Sequence, residues 1–113
     1  NSAAESDLRN IMTAEEAAYA DTQSYVSFAI TQGPNPITGL DAKLSNNVKA
    51  LANTNTAGTA YAAFTGHKNG DRVYGGDSNG TIAFKSTTGS DPWTALGNIG
   101  NTTTSVPSNW QTL

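Results

Sequence analysis

The chain has 113 residues, the size of one ordinary domain, and it contains no cysteine, which excludes disulfides, thiolate metal sites and a cysteine nucleophile. Only 13% of its residues are charged and the net charge is −3, so nucleic acid is not an expected partner. No apolar run approaches the roughly 18 residues needed to span a bilayer. We expect one domain over residues 1–113 with no membrane contact, and its polar, sparsely charged composition favours an extracellular location.

Residues 2–22 are predicted to form an amphipathic helix. At about 100° per residue, one stripe is apolar: Ala4, Leu8, Ile11, Met12, Ala18 and Tyr19. The reverse face carries small, uncharged side chains: Ala3, Ser6, Asn10, Thr13, Ala17 and Ala20. This reverse face is either an ordinary alanine-rich exposed surface or a subunit-packing surface that lets another helix approach closely. Ser2 and Glu5 match a capping box, which would start the helix at Ser2.

Glu15 interrupts the apolar stripe near its middle. A buried carboxylate is costly unless it is paired or protonated. Two arrangements are therefore open. Either Glu15 meets a cation such as Arg72, His67 or a lysine, or it lies solvated at a loosely covered edge of the helix.

Beyond the loop at residues 32–36 the period of the apolar residues changes from helix to strand. Strands are predicted at about 48–51, 59–67, 72–74 and 81–85, with a hairpin turn at Asn69-Gly70 and a second turn over residues 75–80. In the second strand, Tyr61, Ala63 and Thr65 share one face, and Ala62 and Phe64 share the other. The predicted fold is α+β: the helix covers a three- to four-stranded antiparallel meander over about residues 47–85.

The predicted core joins the helix to this sheet. Its members are Leu8, Ile11, Met12, Ala18, Tyr19, Tyr61, Phe64, Val73, Ile82 and Phe84. Residues 86–113 are rich in Gly, Ser, Thr and Asn, and we predict a long ordered loop region there, anchored by four apolar side chains. These are Trp93, Leu96, Ile99 and Trp110.

Few residues suggest a catalytic or metal-binding role. Asp71, Asp77 and Asn79 offer oxygen ligands for calcium, but the EF-hand spacing and its closing Glu are missing, and turn hydrogen bonding explains the same residues. His67, the only histidine, is expected to make a structural hydrogen bond. The adjacent Glu15 and Glu16 point about 100° apart on a helix and cannot act as a glycosidase pair. No catalytic residue or cofactor is therefore expected, and the chain is interpreted as a structural protein.

The opening residues resemble a known family. Residues 1–10 (NSAAESDLRN), 13–21 (TAEEAAYAD) and 23–25 (QSY) are similar to the second half of the long helix of Geobacter-type short type IV pilins. Residues 67–74 (HKNGDRVY), with Asp77-Ser78, resemble a hairpin of longer deltaproteobacterial pilins and pilin-like proteins. Glu15 departs from the pattern, because the short pilins carry an aliphatic residue there.

The resemblance implies a pilin headgroup fold and a structural subunit of a type IV pilus on the bacterial surface. Its partners would be other pilin subunits in a homopolymer serving adhesion, motility or extracellular electron transfer. An apolar helix of about one membrane span would precede these residues. It would lie either upstream in a longer chain, of which this sequence is a fragment, or in a separate partner chain.

Two alternatives remain at this point. A major pseudopilin of type II secretion would share the helix but assemble in the periplasm, and a calcium-binding loop would favour it. A stand-alone extracellular module that binds carbohydrate or protein could instead use Trp93 and Trp110, which lie on polar loops, as its binding platform.

Overall fold

The N-terminal apolar stripe forms a helix, α1 (Ser2–Thr22), in the computed structural model, which describes all 113 residues. The helix ends where Gln23 adopts a left-handed conformation (φ 62°) and its N–H donates to the Tyr19 carbonyl at 2.8 Å. The helix begins at Ser2 as predicted, but the predicted capping box does not form, because the N-cap residue is Asn1 and not Ser2. The Asn1 side chain does not cap the helix but donates to the Asp71 carboxylate at 2.6 Å.

The remaining elements form one sheet and one short helix. They are β1 (Phe28–Gln32), β2 (Val48–Thr54), β3 (Tyr61–His67), β4 (Arg72–Asp77), β5 (Ile82–Ser86), α2 (Pro92–Gly97) and β6 (Gln111–Thr112). Each strand pairs antiparallel with the next, in the order β1-β2-β3-β4-β5-β6. The predicted α+β class and the helix on an antiparallel meander are confirmed, but the sheet has six strands instead of three or four. Neither helix has the length and apolar character that crossing a membrane requires.

The two additional strands lie at the edges of the sheet. In β1 the pairing with β2 is irregular between Phe28 and Thr31, and Ile30 remains 46% exposed. β6 contributes only two residues, which pair with Ala83 and Phe84. Edge strands bury little, so their sequences carry a weak alternation signal.

Gly75 and Gly76 lie inside β4, which corrects the predicted turn at these residues. A Cβ atom at Gly75 would lie 2.8 Å from the Phe64 ring and 3.0 Å from the Trp110 ring. The glycines therefore let aromatic and helical side chains approach the backbone of a central strand. The turn is shorter than predicted and spans residues 78–81 between β4 and β5.

The sheet is covered on two faces. The larger core lies between α1, the sheet and the β1–β2 connection: Ala4, Leu8, Ile11, Ile37, Leu44, Val48, Ala50, Ala52, Tyr61, Ala63 and Tyr74. A smaller core lies against α2 and the C-terminal segment: Leu51, Ala62, Phe64, Val73 and Leu96. The predicted alternation of β3 divides its residues between these two cores. Residues 86–113 are therefore not only a loop region, since they contain α2 and β6 and cover the second face.

The structure distributes the predicted core residues unequally. Leu8, Ile11, Tyr61, Phe64 and Val73 are fully buried. Met12, Ile82 and Phe84 are half-buried and pack against the larger core. Ala18 and Tyr19, however, are half-buried and belong to neither core, because the larger core takes its α1 residues from the first three turns.

Candidate subunit-packing surface

The reverse face of α1 is accessible along most of its length. Five of the six residues predicted for subunit packing are exposed: Ser6, Asn10, Thr13, Ala17 and Ala20. The sixth, Ala3, is half-buried and packs against the larger core, so its assignment to this face is corrected. The five exposed side chains are small and uncharged, and we call this set the small-residue face.

A groove of about 500 Å³ runs beside the small-residue face. Asn10, Thr13 and Ala17 line it on the helix side. The other wall comes from the β1–β2 connection, with Pro36, Leu40, Asp41, Ala42 and Lys43. The sequence predicted the helical wall but not the opposite wall, because nothing local in residues 36–43 indicates that they lie against the helix.

Asp7 holds the β1–β2 connection in this position. Its carboxylate is buried and accepts from the Ser45 N–H at 2.8 Å and from the Ser45 hydroxyl at 3.0 Å. Hydrogen bonds to a charged acceptor are about twice as strong as neutral ones. The same connection inserts Ile37 and Leu44 into the larger core. Asp7 is therefore a positioning residue for the groove that the sequence did not reveal.

Glu15 belongs to α1, and its side chain is completely buried. Its Oε1 accepts from the backbone N–H of Val26 at 2.8 Å, whereas Oε2 has no hydrogen-bond partner. Neither predicted arrangement is correct, because no cation pairs with Glu15 and the carboxyl is not solvated. Burial, supported by the nearby Glu16 charge, raises the pKa of Glu15 from 4.5 to about 7, although the Val26 hydrogen bond opposes the shift.

Three tyrosines form an aromatic cluster near the C-terminal end of α1. Tyr19 stacks on Tyr25 at 4.6 Å between ring centroids, and Tyr25 meets Tyr61 at 4.7 Å. The Tyr25 hydroxyl donates to Glu16 at 2.9 Å. Burial and this acceptor raise the pKa of Tyr25 to about 12, and burial also raises the pKa of Tyr61. The cluster attaches the end of α1 to the sheet through Tyr61 of β3.

The three residues suggested for calcium do not form one site. Asp71 immediately precedes β4, whereas Asp77 is its last residue, so the length of the strand separates them. The Asp77 carboxylate accepts from three backbone N–H groups, those of Asn79, Thr81 and Val106, at 2.9 to 3.3 Å. No group of three or more His, Cys, Asp or Glu side chains is arranged to hold a metal ion. The turn hydrogen bonding that the sequence offered as an alternative accounts for two of these three bonds, and the third joins Asp77 to the C-terminal segment.

The other residues singled out by the sequence have separate environments. The Nδ1 atom of His67 accepts from the Asn69 N–H at 3.1 Å. The indole N–H of Trp93 donates to the Asn47 carbonyl at 3.1 Å, and the Lys49 ammonium lies 4.1 Å from the Trp93 ring centre. Trp93 is thus engaged by the protein itself, whereas Trp110 lines a cleft on the face of the sheet opposite α1.

We compared the chain with protein-family models, curated proteins and solved structures, and no significant match was found in any of the three.

Proposed function

We propose that this domain is the surface-exposed part of a type IV pilin-like subunit that assembles with copies of itself into a bacterial filament. The observation that carries the proposal is the small-residue face, an uncharged face on an N-terminal helix of 21 residues whose opposite side is fixed to an antiparallel sheet. This layout agrees with the pilin family that the opening residues resemble.

The chemistry of the small-residue face supports helix packing. Exposed helix faces in monomeric proteins usually carry Lys and Glu, which are strongly hydrated and costly to bury. Ser6, Asn10, Thr13, Ala17 and Ala20 carry no charge and lose little side-chain entropy when a neighbour covers them. Their small volume lets a second helix approach closely.

The groove supports the same proposal from the shape of the surface. A helix with its side chains is about 10 Å across and convex. A helix from a neighbouring subunit can therefore contact α1 and residues 36–43 at the same time only if these two walls form a concave surface. The groove between Thr13, Ala17 and Leu40 is concave and partly apolar. An apolar helix from a neighbouring subunit is the occupant that we propose for it.

Filament assembly can be tested by placing a charge at the centre of this face. An apolar pilin helix would be fused to the N-terminus of the chain. The fusion would be expressed in a pilus-forming bacterium that lacks its own major pilin. We expect sheared surface filaments that contain the chain, and we expect Ala17→Lys to reduce them severely. Because lysine is a good helix former, the stability of the isolated domain should change by less than about 0.5 kcal/mol.

The control is Ala57→Lys, the same substitution at an exposed alanine in the β2–β3 turn. Filaments should form normally with this variant. Equal assembly by the two variants, or no filaments from the unsubstituted chain, would contradict the proposal.

A further inference from the structure

A second concave surface lies on the face of the sheet opposite α1 and is separate from the small-residue face. It is a cleft of about 410 Å³ between the sheet and the C-terminal segment, within the range of roughly 300–1,000 Å³ typical of small-ligand sites. Its floor is apolar and consists of Phe64 and Val73. Its rim consists largely of hydroxyl and amide side chains, including Thr88, Asn98 and Thr103.

One wall of the cleft is a fixed aromatic ring. Trp110 meets Phe64 edge to face, with 5.5 Å between centroids and 69° between planes. A Cβ at Gly75 would lie 3.0 Å from the indole, so the absence of a side chain there lets the ring lie against β4. A rigid, half-buried indole presents a preorganised apolar surface, which lowers the entropy cost of binding a flat apolar ligand face.

Thr87 also lines the cleft, and its hydroxyl is buried without a hydrogen-bond partner. Thr87 is 7% exposed, and its Oγ1 makes no hydrogen bond. Its backbone is fully engaged, because its N–H donates to the Asp71 carbonyl and its carbonyl accepts from the Ser90 N–H, each at 2.9 Å. An unsatisfied buried polar group costs roughly 1–3 kcal/mol. A ligand hydroxyl would relieve this cost once a small movement of the Thr87 side chain brought its oxygen, which the free protein buries, to the surface of the cleft.

Lys85 is the one charged side chain that lines the cleft. The chain's only ion pair joins Arg9 and Glu5, so no carboxylate lies within 4.0 Å of the Lys85 ammonium. The cleft therefore offers a positive charge that no carboxylate of the chain pairs with at ion-pair distance. This arrangement favours a ligand that carries a carboxylate.

We propose that this cleft binds a uronic-acid residue of an acidic polysaccharide. A pyranose ring has an apolar C–H face, which suits the half-buried Trp110 indole. Its hydroxyl edge suits Thr87 and the polar rim, and the carboxylate of a hexuronic acid suits Lys85. The site is independent of filament assembly, since none of its residues belongs to α1 or to the groove beside it.

The test is an NMR titration of the ¹⁵N-labelled chain with trigalacturonic acid. We expect saturable shifts at Thr87, Thr103 and the Trp110 indole N–H, with a Kd in about the 0.1–1 mM range. The fully methyl-esterified trisaccharide, which lacks the charge, should bind about fivefold more weakly. Triglutamate, which carries carboxylates without a sugar ring, should not bind at the cleft.

Two substitutions test the assigned contacts. Lys85→Gln should weaken trigalacturonate binding about fivefold and leave binding of the methyl ester unchanged. Thr87→Val should weaken binding of both sugars by a similar factor without lowering the melting temperature, because the hydroxyl has no partner in the free protein. Lys43→Gln, the same charge change at the groove beside α1, is the control and should bind normally.

Several results would overturn the proposal. They are the absence of saturation up to about 10 mM, shifts centred on α1 instead of the cleft, and equal binding of triglutamate. Equal affinity for the acid and its ester would also overturn it, because Lys85 would then have no role in recognition.

Discussion

Glu15 lies where the helical period predicts it, on the apolar side of α1, but its environment is not one of the two that the sequence predicted. The sequence located it within the apolar stripe, and the structure buries it completely. Its partner could not be predicted, because that partner is the backbone N–H of Val26, which the left-handed turn at Gln23 brings back toward the helix. A sequence pattern can indicate a side-chain partner by its residue type. It cannot indicate a backbone N–H partner, because almost every residue has one.

The raised pKa of Glu15 predicts a pH-dependent stability. The pKa of Glu15 is 4.5 in the unfolded chain and about 7 in the folded protein. Between these two pH values the folded protein binds more protons at this carboxyl than the unfolded chain does. Stability from this group is therefore complete below about pH 4.5 and falls as the pH rises toward 7. The decrease should be about 3 kcal/mol. Denaturant unfolding at a series of pH values measures it.

Glu15→Gln should remove this decrease, because glutamine can accept the Val26 hydrogen bond without becoming charged. Leucine would be less informative, since it would leave the Val26 N–H without its partner. Asp21→Asn, at an exposed carboxyl on the same helix, is the control and should retain the wild-type decrease. If the wild-type and Glu15→Gln stabilities run parallel from pH 4.5 to 7.5, our interpretation of Glu15 is wrong.

Among the helices and strands, those that bury more of their residues were predicted more accurately from the sequence. β3 was predicted closely, because its two faces contact two different cores and its residues alternate accordingly. β1 was missed, because four of its five residues are polar, small or exposed and only one partner strand fixes its register. α2 was missed although Asp91-Pro92 is a typical helix start, and Asp91 does accept from the Thr94 N–H at 2.8 Å.

The close approach of α2 to β3 gives a prediction for Gly66. A Cβ at this position would lie 2.6 Å from the Cβ of Pro92, a rigid neighbour that cannot rotate away. Gly66→Ala should therefore destabilise the domain by about 1–3 kcal/mol. Gly97→Ala is the matched control, because nothing lies within 4 Å of its Cβ position and alanine favours the helix.

Thermal and denaturant unfolding of the two variants would distinguish them. Gly97→Ala should be at least as stable as the wild type, and Gly66→Ala clearly less stable. Equal stabilities would show that α2 does not pack against β3 as closely as the structure indicates.

At the scale of the whole molecule, the sheet is the middle of three layers. α1 covers one face, and α2 with the C-terminal segment covers the other. The sequence predicted the first layer from its helical period. For the third layer it predicted the anchoring residues Leu96, Ile99 and Trp110 but not the elements that carry them, because these residues follow no period that identifies a helix or strand.

The candidate packing surface was predictable only in part, for a similar reason. Its helical wall follows from the period of α1. Its second wall depends on the bond between Asp7 and Ser45, which are 38 residues apart, and such long-range contacts leave no local pattern. The assembled surface therefore appears only when the whole chain is folded.

The most direct test of the central proposal is the accessibility of the small-residue face within a filament. The chain has no cysteine, so Ala17→Cys introduces a single thiol that a maleimide reagent can report. Because Ala17 is exposed in the isolated domain, the thiol should react there, and it should be protected in sheared filaments. Ala57→Cys, the control, should react in either state. Equal labelling of the Ala17→Cys variant in domain and filament would contradict the proposal that this face packs against a neighbouring subunit.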